Sequence, residues 1–424
     1  MNETVALHDA VQSLRAPATI RARCAAIAEA ASAGRSTFFT LDRSRLADVA
    51  TRVATLTKSR FPDLKIPVHS RWRHFEAGGV DRKAELDARL NGRMQAAAAR
   101  ARIDLALVSV LLDAGAGPDW SWLEVESGQS FTRSEGIAVA SFRAFMAGRF
   151  SSDIGDPLRV DAKALLGLDA RALAGIFQVN ERNPMVGLEG RAALLHALGE
   201  ALRAQPERFT AIGQPGHLFD ALTHHPHAPR LAHHHPVRAP QHHQVAAARI
   251  LGALLDSFSG IWPSGQSLQG VPIGDAWPHP AAGGTGAGAG IVPFHKLSQW
   301  LTYSLIEPFE WASVHVQGVD ELTGLPEYRN GGLFIDAGVI VPRDAGFAAQ
   351  PRSPSEPWVI EWRALTVALL DELAPRVREA LGAPELPLAC ILEGGSWAAG
   401  RQIAVEKRPG GAPPLVIVSD GTVF

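Results

Sequence analysis

The sequence predicts a mainly α-helical protein that contains only a few short β-strands. Over most of the chain, apolar residues recur three and four positions apart, which is the spacing of one face of a helix. Strict two-residue alternation, which is typical of strands, is confined to short pieces such as WLEVE and LVIVS. No repeat period is visible, and 424 residues are enough to bury a large core. We therefore predict a single enlarged globular domain over residues 1–424.

The first half of the chain supplies most of the predicted helices. Two amphipathic helices are expected in the alanine-rich first 30 residues, and a short strand and a helix follow, with Asp42 or Ser44 as the N-cap of that helix. The segment 65–82 is predicted to be a loop or a short extended piece, crowded with aromatic and charged side chains. Further helices are predicted within 85–115, from about Ser134, over 161–178 and over 188–203.

Charge and composition exclude several classes of function. The 41 basic and 43 acidic residues are spread evenly, so the chain lacks the basic patch that nucleic acids or anionic membranes require. Two cysteines, Cys24 and Cys390, do not form a disulfide framework, which favours a reducing compartment. No apolar run reaches the length of a membrane span, and the N-terminus lacks the features of a signal peptide. We expect a cytoplasmic protein that acts on a small molecule.

Two segments have biased compositions. Nine of the sixteen histidines lie between His217 and His243, among prolines that leave the imidazoles without a rigid element to orient them. We predict a solvated insertion near residues 224–243, which binds metal adventitiously. The glycine-rich stretch 281–290 lacks the GK[ST] ending of a nucleotide-binding loop and is predicted to be a flexible lid or a connection. Neither a metal nor a cofactor is predicted.

The stretch from Pro293 to Asp336 carries a lysine and a glutamate in settings that a surface segment does not need. Lys296 follows the glycine-rich stretch at the start of a predicted apolar helix, where a buried ammonium requires a partner. Glu327 follows Pro326 in LPEYRNGG, which suits a turn or the opening of a helix. The two charges predict an active site, and a buried structural ion pair is the alternative.

Three other motifs group polar side chains with tryptophans. PIGDAWPH carries Asp275 and His279 in a proline-bounded loop, and ILEGGSWAAGR groups charges around a glycine pair. SRWRHF offers two arginines as bidentate donors to a phosphate or carboxylate. Each motif alone also suits a hydrogen-bonded structural loop, whereas together they suggest a polar pocket walled by aromatic rings.

These motifs carry a resemblance to known families. KIPVHSRWRHFEAGG, RSEGIAVASF, PIGDAWPH, IVPFHKLSQWLTYSLIEP, LTGLPEYRNGGLF, ILEGGSWAAGR and the final SDGTVF resemble the uracil-catabolism protein family of fungi and bacteria, a domain of unknown function. More distantly, PFHKLSQ and LTGLPEYR are similar to the queuosine 5′-phosphate N-glycosylases, whose pattern runs Phe-Tyr-Lys-Arg-Ala-Gln and then Ala-Asp-Tyr-Arg. The second resemblance implies a helical core like that of the DNA glycosylases.

The resemblance to the glycosylases also implies roles for individual residues. Their catalytic lysine corresponds to Lys296, and their catalytic aspartate corresponds to Glu327, a longer carboxylate. The remaining candidates are predicted to bind substrate, and they are Arg329, Tyr328, Arg71, Trp72, Arg73, His74, Asp275, His279, His295, Glu393, Trp397 and Arg401.

Together, the motifs and the resemblance predict an N-glycosidase of uracil catabolism. It would hydrolyse the bond between ribose and urea, or that of ring-opened uridine or its 5′-phosphate, to release urea and ribose or ribose phosphate. One alternative is a metal-dependent amidohydrolase that acts on the ureido chain, with His69, His74, Asp275 and His279 as ligands and Glu327 as base. The other alternative is a non-enzymatic partner of the pathway's ring-opening enzyme.

Overall fold

The structure is a computed structural model that describes residues 3–223, 243–344, 346 and 350–418. Helices make up most of these residues and the strands are short, which confirms the mainly α-helical prediction. The helices are α1 (Glu3–Arg15), α2 (Pro17–Ser32), α3 (Leu46–Arg60), α4 (Arg71–Phe75), α5 (Arg82–Leu90), α6 (Gln95–Leu111), α7 (Arg133–Met146), α8 (Ala162–Leu166), α9 (Ala170–Ile176), α10 (Leu188–Arg203), α11 (Pro206–Phe209), α12 (Leu218–Thr223), α13 (Ala247–Phe258), α14 (Lys296–Trp311), α15 (Tyr328–Asp336), α16 (Pro357–Leu381), α17 (Leu388–Ile391) and α18 (Trp397–Lys407).

The strands form pairs rather than one extended sheet. They are β1 (Phe39–Leu41), β2 (Ser121–Glu124), β3 (Gln129–Thr132), β4 (His243–Ala246), β5 (Gln266–Leu268), β6 (Val271–Gly274), β7 (Ala276–Pro278), β8 (Ile291–Pro293), β9 (Val314–Gln317) and β10 (Ile340–Pro342). Antiparallel pairs join β1 to β10, β2 to β3, β5 to β6 and β7 to β8, and β4 runs parallel to β9.

The chain divides into two compact units, each assembled from separate stretches. The first unit comprises Met1–Ser70, Trp262–Trp300 and Val319–Phe424, and the second comprises Arg71–Ile261 and Leu301–Gly318. The prediction of one enlarged domain stays a prediction. The histidine-rich insertion predicted near residues 224–243 lies outside the described residues, apart from the backbone of β4, and so does the final SDGTVF.

The first unit is organised around α16, a helix of 25 residues that packs against α2 and α3. Its buried side chains include both tryptophans, Trp358 and Trp362, together with the charged Glu361 and Arg363. Helix α15 packs against α18 and α16. Within the described residues, no helix has the length and apolarity that crossing a membrane requires.

The glycine-rich stretch 281–290 connects β7 to β8, so the predicted connection is confirmed. The guanidinium of Arg23 on α2 donates hydrogen bonds to the carbonyl oxygens of Ala282 (3.2 Å) and Gly288 (3.4 Å). Gly284 has a φ of +89°, and a Cβ there would overlap the same guanidinium. The loop is therefore held to α2 by specific contacts, and its use as a lid stays a prediction.

The second unit contains α6, whose predicted central position is confirmed by its almost fully buried second half. The carboxylates of Glu124 and Asp104 in the second unit are buried, and hydrogen-bond donors surround each of them. Glu124 forms ion pairs with Arg82 and with Arg143. Asp104 accepts hydrogen bonds from backbone and amide donors.

Four local predictions differ from the structure. The segment 65–82, predicted to be a loop or a short extended piece, contains helix α4. Asp42 caps the 3₁₀ turn 43–45 through the N–H of Ser44, and α3 begins only afterwards. Helix α7 begins at Arg133 with Thr132 as its N-cap, one residue earlier than predicted. ILEGGSWAAGR, considered above as a loop, is helical throughout, and its glycine pair packs closely against α3.

Candidate functional site

Glu327 lies at the opening of a helix, as its sequence context predicted. It is the N-cap of α15 in extended conformation, and its two carboxylate oxygens accept the N–H groups of Arg329 and Asn330, both at 2.6 Å. The side chain is buried, with only 7% of its surface exposed. Because both oxygens are held by backbone groups, the carboxylate has one defined orientation.

The pKa of the Glu327 carboxyl lies above its ordinary value, because burial outweighs the influences that lower it. Burial raises the pKa of its carboxyl, while the two backbone N–H groups and then the charges of Lys296 and His69 act to lower it. Lys296 and His69 therefore lie close enough to Glu327 to act on its ionisation. All three residues belong to the first unit.

Lys296 is the first residue of α14, and a buried ion pair fixes its position. Its backbone N–H donates to Oδ2 of Asp275 at 3.0 Å, and the same carboxylate accepts two hydrogen bonds from Arg363, at 2.8 and 2.7 Å. Burial opposes the charge of Asp275, but Arg363 and the N–H donors outweigh it and keep the pKa of Asp275 below its ordinary value. Asp275 and Arg363 thus anchor the first turn of α14 and place the half-buried Lys296 side chain.

His69 is buried in the same part of the first unit, next to two tryptophans. Its ring centroid lies 6.3 Å from that of Trp300 and 6.4 Å from that of Trp397. Its Nδ1 lies 2.8 Å from Oε2 of Glu393, and the other oxygen of Glu393 lies 3.3 Å from Nη2 of Arg60. The carboxylate of Glu393 is therefore held between an imidazole and a guanidinium.

The segment 392–396 joins α17 to α18 as a π-helical turn and carries Glu393. Such turns are rare and occur frequently at functional sites. The glycines make the turn possible here, because a Cβ at Gly395 would lie 2.5 Å from Oγ1 of Thr57 and 2.6 Å from the carbonyl oxygen of Val53. The hydroxyl of Ser396 donates to Oδ1 of Asn330 at 2.9 Å, so the turn is attached directly to α15.

Arg329 follows Glu327 and is a buried cation. Its Nη1 donates to the carbonyl oxygen of Gly411 at 3.2 Å, and its guanidinium carbon lies 4.7 Å from the ring centroid of Tyr328. Nε of Arg329 is buried and makes no hydrogen bond with any described residue. The described part of the protein therefore leaves Arg329 able to take an anion.

Other predicted residues of the first unit bond to protein groups. His279 has its Nε2 3.5 Å from a carboxylate oxygen of Glu361, and its Nδ1 accepts the N–H of Ala281. Nε2 of His295 lies 3.0 Å from the carbonyl oxygen of Leu14, and burial lowers the pKa of His295. Arg401 is exposed and lies over the Trp397 ring at 6.0 Å. Their roles in substrate binding stay predictions, as does that of Asp275.

The four candidates of SRWRHF belong to the second unit, where α4 holds them. The guanidinium of Arg71 is fully buried, donates to the hydroxyl of Ser109 at 2.7 Å and lies 3.2 Å from a carboxylate oxygen of Asp113. Trp72 donates to a backbone carbonyl, Arg73 pairs with Glu307 at 2.7 Å, and His74 is half-buried. Their predicted binding of substrate remains untested by these contacts.

Some residues of the site were missed from the sequence. The sequence pattern indicates His69 only as a metal ligand and does not predict helix α16, which carries Arg363. A charged residue inside the apolar run WVIEWRALTVALL signals a buried partner and could have drawn attention to Arg363. A hydrogen bond from Gln299 to Thr323 (2.9 Å) joins α14 to the segment ahead of Glu327. The sequence around these two residues does not predict this contact.

No group of three or more His, Cys, Asp and Glu side chains among the described residues is arranged to hold a metal ion. The ligand set considered for a metal-dependent amidohydrolase therefore gains no support from that part of the chain.

Comparison with known proteins identifies relatives along nearly the whole chain. The family described as "Protein of unknown function (DUF1688)" matches residues 13–424. "Uracil catabolism protein 4" of Lachancea kluyveri is 38% identical over 422 residues, which covers 92% of this chain and 93% of that protein. "Protein urg3" of Schizosaccharomyces pombe is 40% identical over 398 residues, with 91% and 92% covered. These matches confirm the predicted resemblance to the uracil-catabolism family.

Proposed function

The chain belongs to the family described as Protein of unknown function (DUF1688), and on that basis we propose that it acts in uracil catabolism as an N-glycosidase. The reaction is the hydrolysis of a ribosyl-urea bond, or of the equivalent bond in ring-opened uridine or its 5′-phosphate, to release urea and ribose or ribose phosphate. The name of the Lachancea kluyveri relative supports the pathway, and the chemistry of the site supports the type of reaction.

The observation that carries this proposal is the buried carboxylate of Glu327, which two backbone N–H groups hold in place and on which the charge of Lys296 acts. Cleavage of an N-ribosidic bond passes through a state in which positive charge develops on the sugar ring. A carboxylate that is already oriented stabilises this charge without reorganising, and in a buried site the interaction is stronger than in water. The same carboxylate orients the attacking water.

Lys296 and Arg329 complete this assignment. The charge of Lys296 favours the ionised form of Glu327 against the effect of burial, and its ammonium can bind a ribose hydroxyl or the oxygen of the departing urea. The buried guanidinium of Arg329, two residues from Glu327, is suited to a 5′-phosphate, because arginine binds phosphate oxygens through a planar pair of donors.

The proposal is tested by incubating the purified protein with ribosylurea and, separately, with its 5′-phosphate. We expect urea and free or phosphorylated ribose in equal amounts. Release of ammonia without ribose would instead indicate an amidohydrolase acting on the ureido chain. If neither compound is consumed, and addition of the pathway's ring-opening enzyme changes that enzyme's rate, a non-enzymatic partner becomes the better explanation.

A further inference from the structure

We propose that His69 is the general acid of the site and that Glu393 positions it, so that a Glu–His pair protonates the departing urea nitrogen. The inference rests on the proposed glycosidase function and adds a group that this function requires. Urea is a poor leaving group as an anion, so rapid cleavage of its bond to ribose needs a proton donor as well as a stabilised sugar cation.

The contacts of His69 define which ring nitrogen faces the reaction. Nδ1 lies 2.8 Å from a carboxylate oxygen of Glu393, and a carboxylate only accepts hydrogen bonds, so Nδ1 carries a proton. Nε2 has no hydrogen-bond partner among the described residues, although the side chain as a whole is only 7% exposed. One nitrogen is thus bound to an orienting carboxylate, and the other is left to exchange a proton.

The orienting carboxylate is itself held firmly. Arg60 on α3 binds Glu393 through its carboxylate and through the backbone carbonyl oxygens of Glu393 and Gly394. Trp300 and Trp397 lie beside the imidazole, with ring centroids 6.3 and 6.4 Å from that of His69. Such an arrangement, in which a third group orients the acid or base, is the one that proton-transfer sites require.

Two elements bring His69 to Glu327. Trp300 is four residues after Lys296, so both lie on the same face of α14, and the ring of Trp300 is next to His69. On the other side, Ser396 of the π-helical turn bonds to Asn330 in the first turn of α15, which Glu327 caps. The electrostatic influence of His69 on the carboxyl of Glu327 agrees with this placement.

Bond cleavage and proton transfer involve His69, Glu327 and one water molecule. The bond between C1′ of ribose and the urea nitrogen breaks, its electron pair goes to nitrogen, and the proton on Nε2 of His69 moves to the same nitrogen. Water adds to C1′, and its proton passes to the carboxylate of Glu327 and from there to solvent. His69 then takes a proton from solvent. The sum is ribosylurea and water giving ribose and urea, with no oxidant or cofactor.

The test compares two leaving groups. Ribosylurea, or its 5′-phosphate, needs a proton to depart, whereas the nitrophenolate of the matching 4-nitrophenyl riboside departs without one. His69→Gln should lose roughly a hundredfold to ten-thousandfold in kcat on the urea substrate and only a few-fold on the nitrophenyl riboside. Glu327→Gln should lose activity on both, because it removes stabilisation of the sugar cation.

A matched control exists in the second unit. His217 has its Nδ1 2.9 Å from a carboxylate oxygen of Asp220, so it repeats the same kind of pair in the other unit. His217→Gln should leave both activities within a few-fold of wild type. Thermal unfolding of each variant shows whether a loss of activity reflects a loss of folding.

The pH dependence provides a second measurement on the urea substrate. Among the described residues, Glu393 contacts His69, Arg60 binds Glu393, and Arg401 lies over the Trp397 ring next to His69. The charges of His69 and Lys296 also act on Glu327. Wild-type kcat/KM should fall at high pH as the acid loses its proton, and this fall should be absent in His69→Gln. In Glu393→Gln, the decrease of kcat/KM should occur at a different pH. A purely structural role of Glu393 would not produce such a shift.

The outcomes separate the inference from the function on which it rests. If the wild-type protein releases no urea, the glycosidase function is wrong. If the wild-type protein is active, two results for the folded His69→Gln variant count against the inference: an equal loss of activity on the two substrates, or a decrease of kcat/KM at high pH that persists. Either result would show that His69 is not the acid. If the wild-type protein does not cleave the nitrophenyl riboside, the pH dependence of kcat/KM on the urea substrate decides whether His69 is the acid.

Discussion

Glu327 is a single residue on which the local structure and the proposed chemistry both depend. The carboxylate satisfies two N–H groups at the start of α15, and burial makes its charge costly. In the proposed reaction, the developing positive charge on the sugar would relieve this cost. A neutral replacement therefore separates the capping role from the electrostatic one.

The first prediction is for Glu327→Gln. Turnover of the ribosyl-urea substrate should fall by at least about a hundredfold, because an amide cannot stabilise the sugar cation. One N–H then faces an amide NH₂ group, so the free energy of unfolding should fall by about 1–2 kcal/mol. Asp169→Asn removes the capping carboxylate of α9 in the second unit and should leave turnover unchanged. Full activity in Glu327→Gln would contradict the mechanism.

The second prediction concerns the recognition of phosphate by Arg329. If Arg329 binds a 5′-phosphate, Arg329→Lys should lower kcat/KM for the phosphorylated substrate by about ten- to a hundredfold, because a charge-assisted bidentate contact is worth roughly 1.5–3 kcal/mol. The unphosphorylated substrate should be affected little. Arg35→Lys, at an exposed arginine of the first unit, is the control. Equal effects on both substrates would show that Arg329 does not read the phosphate.

The third prediction concerns stability and pH at Asp104. Burial raises the pKa of its carboxyl to about 7, against hydrogen bonds from Val160, Gln214 and Gly216 that favour the charged form. The folded protein then holds a proton that the unfolded chain releases near pH 4. The resulting stabilisation, on the order of 4 kcal/mol, is present at pH values below the unfolded pKa and is lost as the pH rises through about 7.

Chemical unfolding of wild type and Asp104→Asn at pH 5 and pH 8 measures this contribution. The wild-type free energy of unfolding should fall between the two pH values by more than that of the variant, whose amide does not titrate. Identical changes in the two proteins would show that the carboxyl of Asp104 is already ionised at pH 5.

Among the elements, the π-helical turn 392–396 combines a tight packing requirement with the placement of Glu393. Its glycine pair lies against α3, and Gly400 one turn further along α18 lies so close to α15 that a Cβ would clash with the carbonyl oxygen of Arg329. The absence of side chains at these positions is what lets α3, α18 and α15 approach one another.

The fourth prediction is for Gly395→Ala. The added methyl meets backbone and side-chain atoms of α3, so the free energy of unfolding should fall by about 1–3 kcal/mol, as expected for overpacking. Gly252→Ala in α13 meets nothing within 4 Å and should be neutral or stabilising by up to about 1 kcal/mol. Denaturant unfolding of both variants measures the difference. An equal response at the two sites would contradict the close packing of the turn.

For the whole molecule, the histidine-rich stretch is the part whose contribution is predicted from composition alone. Replacing residues 224–242 by a short Gly-Ser linker should leave turnover within a few-fold of wild type, because a proline- and histidine-rich insertion provides little apolar surface to bury. The amount of zinc bound per protein molecule should decrease when this stretch is replaced. Loss of all activity together with loss of stoichiometric zinc would instead favour metal-dependent catalysis.

The sequence by itself determined the features that depend on local periodicity and on residue type. The mainly helical fold, the start of α14 at Lys296 and the position of Glu327 at the opening of α15 follow from apolar spacing and from the residues that begin helices. The family resemblance rested on ordered motifs and was confirmed over nearly the whole chain. The comparison with a DNA-glycosylase core stays a prediction.

Only the tertiary structure decided which charged groups meet. Asp275 pairs with Arg363, 88 residues away, and His69 meets Glu393, 324 residues away. Periodicity describes one element at a time and contains no information about contacts between distant elements. A charged residue within an apolar run indicates that it needs a partner. Which residue becomes that partner depends on how the helices pack, and this packing depends on the whole core.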